Sequence, residues 1–273
     1  MADTLLEVDG LAKSFAGVQA LDGYALRLPP LAIHGVIGPN GAGKTTLFNL
    51  LTGFLLPTAG TIRFLGRDIT RQPAYRVARM GIARTFQNIR LFGQLSVIEN
   101  VKAALQSQSS SSLFGTLLSS PAFRRRERAL EAGAEELLER VGLAARRYHE
   151  ARTLPYGDQR RLEVARAVAM NPKILLLDEP SAGMNPNEAS DLLTLIRRLR
   201  DELKITIIMV AHDIPLVMNL CESIQVLNYG KLIAEGNPAS VRNNPEVIAA
   251  YLGKATHDRR MTDDLRQGEG VKG

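Results

Sequence analysis

Ile33-His34-Gly35-Val36-Ile37-Gly38-Pro39-Asn40-Gly41-Ala42-Gly43-Lys44-Thr45-Thr46 decides how the rest of the chain is read. Ile33 to Gly38 is a short apolar run ending in glycine, the way a buried parallel strand feeds a loop. Gly38, Pro39, Asn40, Gly41, Ala42, Gly43, Lys44, Thr45 and Thr46 have the spacing of a phosphate-binding loop, placed where that chemistry needs it, before a helix starting at Lys44. Glycines let backbone N–H groups converge on phosphate oxygens without side chains in the way, and the helix N-terminus adds partial positive charge. Lys44 is placed to reach the β and γ phosphates of a nucleotide and Thr45 to ligate Mg²⁺.

A second block, Ile174-Leu175-Leu176-Leu177-Asp178-Glu179-Pro180, is an apolar strand ending in two acids. Asp178 stands where a strand-end carboxylate can meet Mg²⁺, and Glu179 beside it is placed to polarise an attacking water. Either block alone is ambiguous, since acids commonly end strands and proline stops them. Together they point to nucleotide hydrolysis.

The surrounding composition sets bounds. The chain has 273 residues, 45% hydrophobic and 23% charged, enough for one domain with an inserted subdomain. Its apolar runs fall far short of the ~18 residues that a membrane-spanning helix needs. The start, MADTLLEVDGLAKSF, lacks the features of a secretory signal, so the chain is expected in the cytosol. The one cysteine, Cys221, excludes an intramolecular disulfide and reads as a buried thiol. Net charge is +6, concentrated in clusters such as Arg124-Arg125-Arg126 and Arg160-Arg161. No aromatic residues are interleaved to stack on bases, so these clusters read as solvated faces and no nucleic-acid partner is expected.

Local patterns predict strands at Leu5 to Val8, Leu21 to Leu28, Thr61 to Leu65, Ile205 to Ala211 and Ser223 to Leu227. Between about Asn88 and Leu154 helical periodicity takes over. Ser96 and Glu99 form a capping-box pattern, with Val97, Val101 and Leu105 on one face; Gln106 to Ser112 reads as a loop; Leu130, Ala134, Leu137, Leu138 and Val141 recur at helical spacing. A later helix has Asn185 as cap, Pro186 at its first position, Glu188 as reciprocal acid, and Leu192, Ile196, Leu199 and Leu203 as its apolar stripe. Strands alternating with helices predict an α/β fold with a mostly parallel sheet, here with an N-terminal antiparallel β subdomain and an inserted α-helical subdomain. The expected layout is one domain over 1–253, with a nucleotide-binding core at 1–88 and 159–253, a helical insertion at 89–158 and a disordered tail at 254–273.

Phe15, the phosphate loop, Gln87, Leu154-Pro155-Tyr156-Gly157-Asp158-Gln159-Arg160-Arg161, Asp178-Glu179, Ser181-Ala182-Gly183-Met184-Asn185 and His212 follow in one linear order. Over nearly its whole length, from about Leu6 to Leu252, the chain resembles the ATP-binding cassette (ABC) ATPases. The segment Leu154, Pro155, Tyr156, Gly157, Asp158, Gln159 is similar to the signature by which such a cassette touches a partner's ATP.

That resemblance implies ATP and Mg²⁺ as cofactors. It implies that Phe15 stacks on adenine with Val18 beside it, that Gln87 contacts Mg²⁺ and the water, that Asp178 holds Mg²⁺, and that Glu179 and the switch histidine His212 act on the γ-phosphate. It implies transmembrane permease subunits docking near Leu91 to Val101, a second cassette closing head to tail, and indirectly a substrate-binding protein, at the cytoplasmic face of the cell membrane. Leu154 to Gln159, Ala182-Gly183-Met184-Asn185-Pro186, Ala234 to Pro238 and Ala250 to Gly253 look most like the larger ATP-binding subunit of branched-chain amino-acid importers. A urea or lipopolysaccharide transporter subunit is the nearest alternative, and a soluble non-transport cassette a further one. In place of the signature serine stands Pro155, which has neither hydroxyl nor backbone N–H to offer a phosphate. A heterodimer with a cassette of fuller signature is therefore expected. Asn185 replaces the family's usual aspartate, and its capping role is explanation enough.

Overall fold

A computed structural model describes residues 4–107, 121–211 and 214–251. Its strands are β1 (Leu6–Phe15), β2 (Val18–Leu28), β3 (Ile33–Ile37), β4 (Ala59–Phe64), β5 (Arg67–Asp68), β6 (Ile82–Arg84), β7 (Ile174–Asp178), β8 (Thr206–Val210), β9 (Ser223–Asn228) and β10 (Lys231–Gly236). Its helices are α1 (Lys44–Leu51), α2 (Ala74–Met80), α3 (Val97–Ser107), α4 (Pro121–Arg140), α5 (Tyr156–Ala169), α6 (Pro186–Leu203), α7 (Ile214–Leu220) and α8 (Pro238–Arg242).

Among the described residues the strands form two sheets, one four-stranded in the order β2-β1-β4-β5 and one six-stranded in the order β10-β9-β3-β8-β7-β6. The four-stranded sheet is antiparallel. In the six-stranded sheet only β10 runs antiparallel to its neighbour. β3, β7 and β8 are buried at every position, which is why their sequences are largely apolar rather than alternating, with only His34, Asp178 and Thr206 as buried polar side chains. One face packs on α1 and the antiparallel sheet; the other carries the helices α3 to α6.

Several elements differ from the sequence reading. β1 continues past Val8 to Phe15, because Gly10 at φ 57° absorbs an irregularity in register rather than ending the strand. α3 takes in Gln106 and Ser107, where a loop was expected; the Ser107 hydroxyl donates to the Ala104 carbonyl at 2.7 Å, and 108–112 lie outside the described residues. α5 carries no simple amphipathic stripe. Gly157, Arg160, Leu162, Glu163, Val164, Ala165 and Ala167 to Ala169 are all buried, so its charged residues interrupt the apolar pattern by which a helix is read. α5 also runs unbroken across 158–159, the boundary expected for the helical insertion, and packs with α3 and α4. The expected tail at 254–273 lies outside the described residues.

Both capping boxes form. At α3 the Ser96 N–H donates to Glu99 at 2.7 Å and the Glu99 N–H to Ser96 Oγ at 3.3 Å. At α6 the Asn187 and Glu188 N–H groups donate to Asn185 Oδ1, each at 3.0 Å, and the Asn185 N–H donates to Glu188 at 3.0 Å. Cys221 is buried against Gly35, and burial pushes its thiol up to about 12.

Beside it on β3, His34 is 1% exposed, with Nδ1 2.8 Å from Ser223 Oγ. Burial pushes its pKa down to about 4. The unfolded chain therefore binds a proton between about pH 6.5 and 4 that the folded chain refuses, and His34 contributes stability at neutral pH that is lost as pH falls through that window. The loss should approach about 3 kcal/mol. Urea denaturation at pH 7 and pH 4.5 checks it: His34→Gln should flatten the acid loss.

Candidate nucleotide-binding site

At the C-terminal edge of the parallel strands the phosphate loop, Gln87 and Glu179 come together. The phosphate loop follows β3, the Gln87 loop follows β6, and Glu179 follows β7. Ligands of open α/β sheets bind outside this edge, where backbone N–H groups and helix N-termini converge.

The loop's path depends on two glycines. Gly43, at φ 105°, caps α1, and a Cβ there would come within 2.6 Å of the Ala20 carbonyl. At Gly38 a Cβ would collide with the Leu227 carbonyl. Lys44 lies buried, donating to the Gly38 carbonyl at 2.6 Å and the Pro39 carbonyl at 3.0 Å. The loop opens on a cavity of about 290 Å³ lined by Ala20, Asn40 to Thr46, Gln87 and Glu179. Gln87 Nε2 donates to Glu179 Oε2 at 3.1 Å, although 92 residues separate them. Glu179 has φ 48°, a conformation unfavourable for a residue with a side chain, and its N–H donates to the Val210 carbonyl at 2.8 Å.

Asp178 is buried at the end of β7 and accepts from Arg84 at 2.6 Å. Arg84 also donates to Asn49 Oδ1 at 2.7 Å, and the Asp178 N–H to Thr85 Oγ1 at 3.3 Å. Removing one partner of such a pair leaves an uncompensated buried charge, at a cost of about 3–5 kcal/mol. Arg84 thus ties the end of β7 to β6 and α1 beside the cavity's Glu179. Nothing in the local sequence marked it.

Phe15 and Val18 are the last pair across the β1–β2 hairpin, both exposed, with Lys13 Nζ 5.0 Å from the Phe15 ring centroid. The hairpin's second strand brings Ala20 against the phosphate loop, so an exposed aromatic stands on the element that borders the cavity. His212 lies outside the described residues.

The segment Leu154 to Gln159 opens α5. Leu154 is buried in the core; Pro155 is the N-cap, with no side-chain cap; Gly157 lies against Glu188; Gln159 donates its side-chain amide to the Leu154 carbonyl at 2.8 Å. Asp158, in the first turn, is paired with Arg146. Tyr156 packs against Gly183 and donates its hydroxyl to the Ala182 carbonyl at 2.9 Å. Arg160, which the sequence reading placed with Arg161 on a solvated face, is instead buried one turn further on, together with Glu163, which that reading did not single out. Burial pushes the Glu163 carboxyl up, while the Phe86 N–H and Arg160 act to keep it ionised.

A phosphate loop, a glutamine and an acidic strand end at one sheet edge, with a helical unit packed beside them, make this a nucleotide-binding cassette. Residues 21–182 match the family described as ABC transporter, and residues 231–257 the one described as Branched-chain amino acid ATP-binding cassette transporter. The chain belongs to the ABC transporter family, as one of its ATP-binding proteins. It is 48% identical, over 93% of its length and 100% of the relative's, to the high-affinity branched-chain amino acid transport ATP-binding protein LivG of Salmonella typhimurium. It is 46% identical, with the same coverage, to BraF of Pseudomonas aeruginosa, described in the same words. Identity to the lipopolysaccharide export system ATP-binding protein LptB of Haemophilus influenzae is 34% over 92% of this chain and 98% of that one. Among solved structures, the ADP conformation of MJ1267, an ATP-binding cassette of an ABC transporter, matches with TM-score 0.80 and 30% identity over 92% of this chain and 99% of that one.

Proposed function

We propose that this chain hydrolyses ATP to energise a membrane importer of branched-chain or other hydrophobic amino acids, at the cytoplasmic face of the cell membrane. The observation that carries this reading is that Lys44, Gln87 and Glu179 line one cavity in a chain similar over 93% of its length to branched-chain amino acid transport ATP-binding proteins. The lower identity to a lipopolysaccharide export protein favours amino acids over that alternative.

The residues divide the chemistry as follows. Backbone N–H groups of the loop and Lys44 hold the β and γ phosphates, and Phe15 and Val18 receive the adenine. Thr45, Asp178 and Gln87 offer only oxygen donors, which suit Mg²⁺, an ion that takes one or two carboxylates and completes its shell with water and phosphate. An Mg²⁺ held by these residues would supply neutralisation of charge developing on the phosphates. Glu179 accepts the proton of the attacking water, and Gln87 sets the direction of its carboxylate through their hydrogen bond. The family resemblance assigns His212 to the γ-phosphate.

The partner subunits follow from two surfaces. A groove of about 480 Å³, lined by Phe86, Phe92, Met170, Arg84, Arg90, Arg166 and Glu163 among others, joins a second cavity carrying Phe54 and Tyr75. Asn100 fixes one wall by exchanging hydrogen bonds of 3.0 Å with both backbone groups of Phe92. Exposed Phe54, Tyr75 and Phe92 beside Arg90 and Arg166 fit a short amphipathic permease helix bearing a carboxylate. The other surface is the N-terminus of α5. There Pro155 removes a hydroxyl, and Asp158, paired with Arg146, brings a carboxylate to the turn expected to face the partner's ATP. A second cassette with a fuller signature then makes the two ATP sites unequal.

Purification from mild detergent tests the reading. Two hydrophobic subunits and a second cassette should accompany the chain, and recovery of the chain alone would overturn it. Arg166→Glu should lower recovery of the hydrophobic subunits about tenfold or more, since like charges facing each other cost several kcal/mol. ATP binding to the purified chain should not change.

A further inference from the structure

A connected set of hydrogen bonds links the start of α5 to the Gln87 loop. Arg160, 2% exposed, donates through Nη1 to the Phe86 carbonyl at 2.9 Å and through Nη2 to the Gln87 carbonyl at 2.5 Å. The same Nη1 donates to Glu163 Oε2 at 3.0 Å, and Glu163 Oε1 accepts the Phe86 N–H at 3.0 Å. One buried ion pair on α5 thus holds the backbone of both residues at 86 and 87. Arg160 Nη2 also donates to the Tyr156 hydroxyl at 3.0 Å, and that hydroxyl donates to the Ala182 carbonyl at 2.9 Å, three residues beyond Glu179. The side chain of Gln87 completes the circuit at Glu179.

We propose that Arg160, with Glu163 and Tyr156, is a positioning residue that transmits the placement of α5's N-terminus to the Gln87–Glu179 pair. It thereby ties the face this chain offers to its partner's ATP to the chemistry at its own. The proposal rests on the ATPase reading above. A guanidinium suits the task because its planar fork reaches two successive carbonyls and a carboxylate together, which the single ammonium of lysine cannot do. The Tyr156 side chain joins α5 to the Ala182–Gly183 turn, a link that a smaller residue at this position would not make. Any displacement of α5 has to drag, or break from, the Gln87 loop.

The test compares ATP hydrolysis by the assembled transporter carrying the unchanged chain, Arg160→Lys, Tyr156→Phe, Gln87→Ala and the double variant Arg160→Lys/Gln87→Ala. Arg160→Lys should lower kcat about 10–100-fold with KM for ATP within about twofold, as expected when a reacting group is misplaced by about 1 Å. Tyr156→Phe, which keeps the ring and removes the hydroxyl with its two hydrogen bonds, should lower kcat about threefold to tenfold, as expected for net hydrogen bonds of modest strength. The double variant should be no slower than Gln87→Ala, because Arg160 acts through that loop. Additive losses, or a normal kcat in both Arg160→Lys and Tyr156→Phe, would overturn the proposal. So would losses that vanish when each variant is assayed well below its own melting temperature, the sign of a merely structural role. Absence of hydrolysis by the unchanged assembly would instead overturn the ATPase reading.

Discussion

Glu179→Gln is expected to lower ATP turnover by the assembled transporter about 10²–10⁴-fold, the range for loss of a positioned general base. The amide keeps the shape and hydrogen-bonding reach of the carboxylate but cannot accept the proton of the attacking water. ATP affinity should hold or rise, because the phosphates are held by the loop after β3 and by Lys44, which the change leaves in place. On the proposed heterodimer the effect is lopsided. This chain's Glu179 works opposite the partner's fuller signature, whereas the partner's glutamate works opposite Pro155 and Asp158. The change here should therefore reduce turnover more than the equivalent change in the partner. Proteoliposomes carrying one substituted cassette at a time decide the point, and equal losses would refute the asymmetry while leaving the role of Glu179 standing.

Lys44→Ala should abolish ATP-dependent uptake and weaken ATP binding by about 10–10²-fold, since a hydrogen bond to a charged group contributes about 1.5–3 kcal/mol. The side chain is 6% exposed, folded over its own loop within reach of the Gly38 and Pro39 carbonyls, so its ammonium is fixed near where phosphate oxygens would lie. Calorimetric titration with ATP gives the affinity, and a thermal melt separates lost binding from lost fold. Uptake retained at saturating ATP would show that Lys44 does not have the role given to it.

How much of this was legible in the sequence depends on the range of the forces involved. The phosphate loop could be read because its chemistry is local: glycines, a lysine and a hydroxyl at fixed spacing between a strand and a helix. The caps of α3 and α6 could be read for the same reason, each being a contact between residues three apart. The buried strands announced themselves as apolar runs, and β1 was cut short only because a bulge glycine looks like a turn glycine in sequence.

α5 was hidden for the opposite reason. Arg160 and Glu163 look like solvated charges until a fold buries them against the backbone of Phe86 and Gln87, some 73 to 77 residues away. Arg84 likewise gains its meaning only when β6 and β7 pair and set it beside Asp178. The sequence by itself determined the loop, the caps, the buried strands β3, β7 and β8 and the family, all of them short-range patterns or their linear order, while β5, β6 and β10 were not read from it. Tertiary structure alone decided which charges lie buried as pairs, how Gln87 comes to meet Glu179, and that α5 grips the loop between them. Burial of a charge depends on the partner brought to it by the fold, and no periodicity in the chain records that partner.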